Sequence, residues 1–184
     1  MKDLRIIKTG ITHGGKFHTD DVISTAFIKY FSPEMNVVRV QEYEGDEKED
    51  EFVYDIGLGE FDHHQKERRI DNAGHPYCAF GLLWESYGKE YLKDFGFENI
   101  DEAFEIFTQR YVFKIDEGDN EGYKNLRSFF ENDLIVKCNP MWFENADEEL
   151  ENEQFDKAVK LGIMILENWT RAIFDEVEVH TYRG

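Results

Sequence analysis

The chain has 184 residues, enough for one ordinary domain, and 41% of them are hydrophobic, which excludes an intrinsically disordered protein. Its 40 acidic residues outweigh 21 basic ones and give a formal charge of −19, so long-range electrostatics repel nucleic acid and anionic membranes. A polyanionic partner must therefore be bound locally, either by a basic patch or by divalent cations held in the protein.

The cysteines and the N-terminus indicate an intracellular setting. Cys78 and Cys138 show no CxxC spacing, which argues against a zinc ribbon and against a disulfide framework. The first residues, MKDLRIIKTG, lack the apolar core of a signal peptide, and the longest apolar clusters, such as IMIL at 163–166, are too short to span a bilayer. We therefore expect a cytoplasmic protein that does not associate with membranes.

The N-terminal part of the chain predicts a strand, a glycine loop and a helix. Residues 4–12, LRIIKTGIT, have the composition of a strand, and the HGG at 13–15 allows the backbone to approach a ligand closely. A helix should follow, with Thr19 as its N-cap, Asp20 in its first turn and Pro33 just beyond its end. Its apolar residues recur at helical spacing: Val22, Ile23, Ala26, Phe27 and Tyr30.

Two further strands indicate the fold class. VVRVQ at 37–41 and FVYDIG at 52–57 are β-branched or aromatic runs, and an acidic, glycine-containing loop separates them. Because a helix lies between the first two strands, this order predicts an α/β fold with a mainly parallel sheet flanked by helices. Ligands of such sheets bind at the carboxyl ends of the strands.

The remainder of the chain is predicted to be largely helical. Apolar residues at helical spacing mark a second helix over 80–91 and a third over 104–115, and both have faces typical of a core. Residues 153–173 show the clearest amphipathic pattern, whereas 123–143 show no decisive one.

Four segments place acids and histidines at or near the predicted ends of these elements. They are HGGKFHTDD with His13, His18 and Asp20, YDIG with Asp55, FDHH with Asp62, His63 and His64, and IDEGDN with Asp116 and Asp119. Two divalent ions a few ångströms apart need about six or seven carboxylate and imidazole ligands, usually with one bridging group. Nitrogen and oxygen donors without thiolate suit Mn²⁺, Mg²⁺ or Co²⁺ better than structural zinc.

Each segment alone also has an ordinary structural explanation. An aspartate that follows an apolar strand, such as Asp55, is usually a turn or N-cap residue. His13 and His18 are too far apart for the i, i+4 spacing of a helical zinc motif, which favours loop ligands. Asp116 and Asp119 could simply end a helix. Only the joint pattern of the four segments indicates a metal site.

In this order and with comparable separations, these segments resemble the motifs of the DHH phosphoesterase superfamily, which includes RecJ-like exonucleases and family II pyrophosphatases. Within it, the chain most resembles the melanocyte-proliferating-gene (MYG) exonuclease-like family. The matching stretches are 12–21, 55–57, 62–65, 80–84, 116–120 and NPMW at 139–142. The resemblance implies a DHH-type metal-binding α/β domain over 1–122, with a largely helical C-terminal extension over 123–184 packed on the same domain.

The resemblance also implies ligands for two divalent ions, Mn²⁺ by preference, with Mg²⁺ or Co²⁺ as alternatives. The first ion would be bound by His13, His18 and Asp55, and the second by Asp20, Asp55 as a bridge, His63 and Asp116. Whether Asp116 or Asp119 is the ligand from the IDEGDN segment is left open.

Further residues are implied beside the ions. Asp55, Asp62 and His64 would form the catalytic group, in which Asp62 orients a histidine and His64 faces a phosphoryl oxygen. The other candidate substrate contacts are Lys16, Arg68, Arg69, Asp119 and Asn120. The sequence departs from the family pattern where Glu121 replaces a glycine and Gly118 replaces an aliphatic residue.

Together these features favour a divalent-metal-dependent phosphohydrolase. Two metals lower the pKa of a shared water from about 15.7 to about neutral, which makes hydroxide available as nucleophile. The resemblance implies a 3′–5′ exonuclease acting on RNA or short single-stranded nucleic acid, and the acidic charge favours short oligonucleotides over long duplexes. The alternatives are a hydrolase of pyrophosphate, a dinucleotide or a phosphomonoester, and a catalytically inactive metal-binding or partner-binding module. The sequence does not indicate an oligomeric state.

Overall fold

A three-stranded parallel sheet forms the centre of the structure, a computed structural model that describes residues 1–71, 74–121 and 130–179. The strands are β1 (Thr9–His13), β2 (Asn36–Val40) and β3 (Glu51–Val53), in the spatial order β2-β1-β3. Helices flank the sheet and continue to the end of the described chain. The predicted α/β class with a parallel sheet and a helical C-terminal segment is therefore confirmed, while the predicted domain boundary after residue 122 lies outside the described residues.

The first strand is shorter than predicted at its start. Leu4–Ile6 form a 3-10 turn because the Asp3 carboxylate caps them, accepting a hydrogen bond from the Arg5 backbone N–H at 3.0 Å. The prediction that the strand begins at residue 4 is therefore wrong. At the other end, β1 extends to His13, so a candidate ligand is the last residue of the central strand.

The first helix, α1 (Thr19–Phe31), follows the glycine loop and covers the residues predicted for it. The predicted N-cap is wrong by one residue, because the cap position is His18, whose backbone N–H donates to the Asp21 carboxylate at 3.0 Å. The Thr19 hydroxyl instead donates to a buried asparagine elsewhere in the fold. Asp20 and Asp21 therefore both lie in the first turn, where the helix dipole stabilises negative charge.

The middle of the chain forms helices interrupted by one wider turn. They are α2 (Ala79–Phe95), α3 (Ile100–Phe107), a π-helical turn (Thr108–Val112) and α4 (Phe113–Glu121). The third predicted helix is thus broken within its span by the π-helical turn, a feature that apolar periodicity does not reveal. Trp84 of α2 is buried and stacks on Phe107 at 4.1 Å between ring centroids, which fixes α2 against α3.

Two helices complete the fold: α5 (Phe130–Val136), in the stretch where the sequence was not decisive, and α6 (Glu148–Phe174). Every apolar residue predicted for the buried side of α6 is buried: Phe155, Ala158, Val159, Gly162, Leu166, Trp169 and Ile173. A Cβ at Gly162 would lie 3.2 Å from Val22 Cγ1, so the glycine lets α6 pack closely on α1. Across the described ranges, no helix combines the length and apolar character needed to cross a bilayer.

A buried glutamate joins the C-terminal end of the fold to α3. Glu178 lies in the π-helical turn Asp175–Val179, and its Oε1 atom accepts hydrogen bonds from the backbone N–H groups of Glu98 at 3.0 Å and Asn99 at 2.8 Å. A carboxylate in this position satisfies donors at the start of α3 and interacts favourably with its dipole.

We expect Glu178→Ala to lower the free energy of unfolding by about 1–3 kcal/mol, because it leaves these donors without an acceptor. Urea denaturation monitored by circular dichroism measures the change. The control is Glu167→Ala on the exposed side of α6, which should stay within about 0.5 kcal/mol of the wild type. Equal stability of the two variants would contradict the role given to Glu178.

Candidate metal centre

The carboxyl ends of β1 and β3 meet the start of α1, and candidate ligands lie at this junction. His13 ends β1, Asp55 follows β3, and Asp20 and Asp21 lie in the first turn of α1. Asp55 has a left-handed backbone with φ of 56°, and its N–H donates to the Phe61 carbonyl at 3.0 Å. Non-glycine residues rarely adopt this conformation, and those that do cluster at functional sites. The turn brings the FDHH segment back to the strand ends.

A first group of contacts surrounds His13. Its Nε2 atom lies 3.0 Å from Asp21 Oδ2 and 3.3 Å from Asp55 Oδ2. Its Nδ1 atom lies 3.0 Å from the carbonyl oxygen of Gly14, a contact that fixes the orientation of the ring. The His13, Asp21 and Asp55 side chains are close enough to share one cation.

A second group surrounds His63. Its Nε2 atom lies 3.2 Å from Asp55 Oδ1, 3.3 Å from Asp119 Oδ2 and 3.8 Å from Asp20 Oδ2. Asp55 therefore faces His13 with one oxygen and His63 with the other. Asp55 is therefore the side chain that lies between the His13 group and the His63 group, in the position of a bridging ligand.

The burial of these carboxylates supports a cationic occupant. Asp20 Oδ1, Asp21 Oδ2 and Asp55 Oδ1 are buried without a hydrogen bond. The latter two lie beside histidine ring nitrogens, but not in hydrogen-bonding orientation. Burying unpaired carboxylate oxygens is costly, and a divalent cation would satisfy them. Carboxylate and imidazole groups are also common ligands of divalent metals, so the residues present fit a divalent metal.

The pKa shifts in the centre follow from this crowding. Burial, together with the charges of Asp55 and Asp119, raises the pKa of Asp20 well above its usual value. Burial alone would raise the pKa of Asp55 too, but contacts with His13 and His63 outweigh it and lower that pKa to about 2. For His13, burial favours the neutral ring, yet Asp21 and Asp55 raise its pKa to about 11. The raised pKa of His13 favours the imidazolium between the Asp21 and Asp55 carboxylates.

Asp62 is buried and holds His64. Its Oδ1 atom accepts a hydrogen bond from the His64 backbone N–H at 3.0 Å and lies 2.7 Å from His64 Nδ1, while its Oδ2 atom accepts from the Leu58 N–H at 2.7 Å. The contact with Asp62 raises the pKa of His64. The His64 ring remains 59% exposed, and its free edge faces outward. The Nδ1 atom, which contacts Asp62, also lies 3.7 Å from Asp55 Oδ1.

His18 and Lys16 lie on the loop before α1. The His18 ring is 52% exposed, and its Nδ1 atom is 3.9 Å from Asp119 Oδ1, close enough to share a cation with Asp20 and Asp119. Its ring centroid is 5.9 Å from that of His13. Lys16 is exposed at the edge of the same loop.

The two aspartates of α4 point to different places. Asp119 faces His63, whereas the buried Asp116 accepts a hydrogen bond from the Cys78 N–H at 2.8 Å, at the N-terminus of α2. A Cβ at Gly81 would lie only 2.3 Å from Asp116 Oδ1, so α2 can approach this carboxylate only with glycine there. Burial raises the pKa of Asp116 to about 7. The structure thus brings Asp119, and not Asp116, into contact with the histidines.

Two of the three cationic candidates, Arg68 and Arg69, line a small cleft next to the centre. Asp62, His63 and Glu67 lie in it with them. Arg68 Nη1 donates to Asn120 Oδ1 at 2.8 Å, and the Asn120 amide donates to the Asp116 carbonyl at 2.9 Å, which ties the arginine to α4. We refer to this space as the basic cleft.

Asp21 is the residue of the centre that the sequence did not single out. One of its oxygens accepts the backbone N–H of His18 as in an ordinary helix cap, and the other faces His13. Two consecutive aspartates follow HGGKFHT, and no pattern in the sequence says which of them points at the strand ends. The structure shows that both do.

Fold and centre together define an α/β protein with a candidate site for divalent metal at the strand ends. The MYG1 exonuclease family model, described as an uncharacterised protein family (UPF0160), matches residues 9–179, and the chain belongs to this family. The chain is also 26% identical over 183 residues to the MYG1 protein of Dictyostelium discoideum, with 88% of this chain and 54% of that protein covered. It thus spans about half the length of this curated relative. No solved structure gives a significant match.

Removing the bridging carboxylate tests the centre directly. We expect Mn²⁺ to raise the melting temperature of the wild type, because an occupant relieves the buried charge, and Asp55→Asn to weaken Mn²⁺ binding about 100-fold or more. Thermal unfolding and calorimetric titration with Mn²⁺ measure both effects. Asp46→Asn in an exposed acidic loop is the control and should leave the affinity unchanged. An unaltered affinity in Asp55→Asn would refute the centre.

Metal binding should also release protons. Since the pKa of His13 is raised to about 11, the ring is protonated at pH 7 and must lose its proton to bind a cation. We expect release of about one proton or more per chain, and an affinity that rises with pH until His13 is neutral. Calorimetry in buffers of different ionisation enthalpy measures this release, which should fall in His13→Gln. Binding without proton release would contradict the protonated state given to His13.

Proposed function

We propose that the chain is a two-metal phosphohydrolase of the DHH type, acting as a 3′–5′ exonuclease on RNA or short single-stranded nucleic acid. The observation that supports it is the placement of Asp55 between His13 and His63, with one carboxylate oxygen toward each. A bridging carboxylate between two sets of imidazole and carboxylate ligands is typical of two-metal phosphoryl chemistry. Membership of a family named for exonuclease activity supports the same reaction class.

The proposed ligands follow the geometry of the centre. His13, Asp21 and Asp55 would hold the first ion, and Asp20, Asp55, His63 and Asp119 the second. His18, first assigned to the first ion, lies beside Asp20 and Asp119 and would join the second set. Asp119 takes the place first given to Asp116, because only Asp119 reaches His63. Asp116 would instead support the site by fixing the start of α2. Mn²⁺ is the proposed ion, since oxygen and imidazole donors suit it.

The ions, when bound, would supply a hydroxide nucleophile and neutralise charge on the phosphoryl oxygens. The chain's own residues would position the substrate. Asp62 holds His64 Nδ1 and raises the pKa of the ring, which favours the imidazolium, so that the exposed edge of the ring can donate to a phosphoryl oxygen. Arg68 and Arg69 in the basic cleft would contact a neighbouring phosphate.

The charge of the chain limits the substrate. With a net charge of −19, the surface disfavours long polyanions. The candidate cations beside the centre are few: Arg68 and Arg69 in the small cleft and Lys16 on the loop before α1. Short oligonucleotides carry few phosphates outside the centre and avoid this repulsion. The same reasoning favours a small phosphate ester or pyrophosphate as the second candidate substrate, which the basic cleft could also accept.

The test is degradation of a short 5′-labelled RNA with Mn²⁺, alongside short DNA, a dinucleotide and pyrophosphate. We expect stepwise shortening of the RNA from its 3′ end, abolished in Asp55→Asn and slowed about 10²–10³-fold in His64→Ala, since a positioned donor to the phosphoryl group is lost. Asp46→Asn should retain full activity. If only pyrophosphate is hydrolysed, the second candidate, a hydrolase of small phosphate compounds, replaces the exonuclease. If none of these substrates is hydrolysed, the proposed function is wrong.

A further inference from the structure

A second cleft lies beside the basic cleft and is lined by a different class of residues. Aromatic side chains from three parts of the fold form its walls: Tyr77, Trp84, Phe104 and Phe113. Two exposed glutamates, Glu85 of α2 and Glu105 of α3, lie at its edge. Its cavity volume is about 300 Å³, at the lower end of the range of small-molecule sites. We refer to it as the aromatic cleft.

The aromatic cleft adjoins the basic cleft through a shared residue. Tyr77 lines both clefts, and the Arg69 guanidinium lies 5.9 Å above its ring. Gly81 also lines the aromatic cleft, while the position of its missing Cβ is in contact with the Asp116 carboxylate. Gly81 of α2 therefore lies between the aromatic cleft and Asp116 of α4. A ligand that places a phosphate in the basic cleft can place its next group beyond Tyr77.

The walls of the aromatic cleft are fixed by packing. Trp84 and Phe104 stack with ring centroids 5.4 Å apart and planes 10° apart. Trp84 Nε1 donates to Thr108 Oγ1 at 2.8 Å, and the same hydroxyl donates to the Phe104 carbonyl at 2.7 Å. Thr108 is the first residue of the π-helical turn, so this turn forms part of the wall of the aromatic cleft. Such turns occur often at functional sites.

The charge of the aromatic cleft determines which part of a nucleotide it suits. Its glutamates repel a phosphate, and the apolar walls suit a flat ring. Carboxylates accept hydrogen bonds from amino and imino groups, and guanine has an imino N–H next to an amino group on one edge. Uracil has no amino group. The two clefts thus divide the groups of a nucleotide, with phosphate on the basic side and base on the aromatic side.

We propose that the aromatic cleft binds the nucleobase of the substrate, with guanine preferred through Glu85 and Glu105. This inference rests on the proposed function, because it treats the base as part of a nucleotide whose phosphate lies at the metal centre. A base site of this kind would add affinity for the substrate without additional basic residues. This suits a chain with a net charge of −19.

Free nucleosides test the aromatic cleft without requiring catalysis. We expect calorimetry or NMR titration of the chain to show guanosine binding about tenfold more tightly than inosine, which lacks the 2-amino group, and more tightly than uridine. The paired substitution Glu85→Gln with Glu105→Gln should remove most of the difference between guanosine and inosine. Gln109→Trp, at the exposed edge, should weaken all nucleosides by filling the space. Glu102→Gln, exposed on α3 outside the cleft, is the matched control.

Hydrolysis of RNAs that end in guanosine or uridine then separates the two proposals. If RNA is degraded, the glutamine pair should raise KM for the guanosine-ending substrate about tenfold and leave kcat unchanged. Nucleoside binding as expected, without hydrolysis of any phosphate ester, would overturn the proposed function and leave the base site standing. Equal binding of guanosine, inosine and uridine, unaffected by Gln109→Trp, would overturn the base site even if RNA is degraded.

Discussion

The structure depends on the burial of three carboxylates, Asp20, Asp21 and Asp55, and on the partly buried Asp119, against the imidazoles of His13 and His63. Anionic groups this close repel one another and lose hydration, so their burial requires either positive charge between them or protonation of a carboxyl group. The raised pKa of Asp20 favours its neutral form, and the raised pKa of His13 favours the imidazolium. Divalent ions would supply further positive charge, which couples the stability of the fold to the function of the centre.

Each element around the strand ends contributes to this arrangement. The parallel sheet places the ends of β1 and β3 side by side, and the first turn of α1 brings two aspartates with a favourable dipole. The left-handed Asp55 turns the chain so that His63 returns to the strand end, and Asp62 then fixes His64 outside the buried cluster. Asp116 and Gly81 hold α2 against α4, so that Asp119 faces inward. The left-handed Asp55 and the buried aspartates Asp20 and Asp21 therefore lie at one site.

Much of this arrangement could be predicted from the sequence because it depends on local patterns. β-Branched and aromatic runs located the strands, apolar residues at helical spacing located most of the helices, and the acids and histidines near element ends indicated the region of the candidate centre. Side-chain direction could not be predicted in the same way. Asp20 and Asp21 are adjacent, and Asp116 and Asp119 lie one turn apart, so only the packing of α1, α2 and α4 determines where each carboxylate points. The π-helical turn could not be predicted either. It changes the number of residues per turn between α3 and α4, but the apolar residues on either side remain buried, so the sequence pattern looks like one continuous helix.

We propose that one buried carboxylate, Asp55, joins two metal sites in a single chain. Electron paramagnetic resonance of the Mn²⁺-loaded protein, combined with metal analysis, distinguishes a bridged pair from separate ions. We expect two Mn²⁺ per chain with the broadened, exchange-coupled spectrum of a bridged pair. A single bound ion, or two ions with the spectrum of isolated Mn²⁺, would show that Asp55 does not bridge two metals.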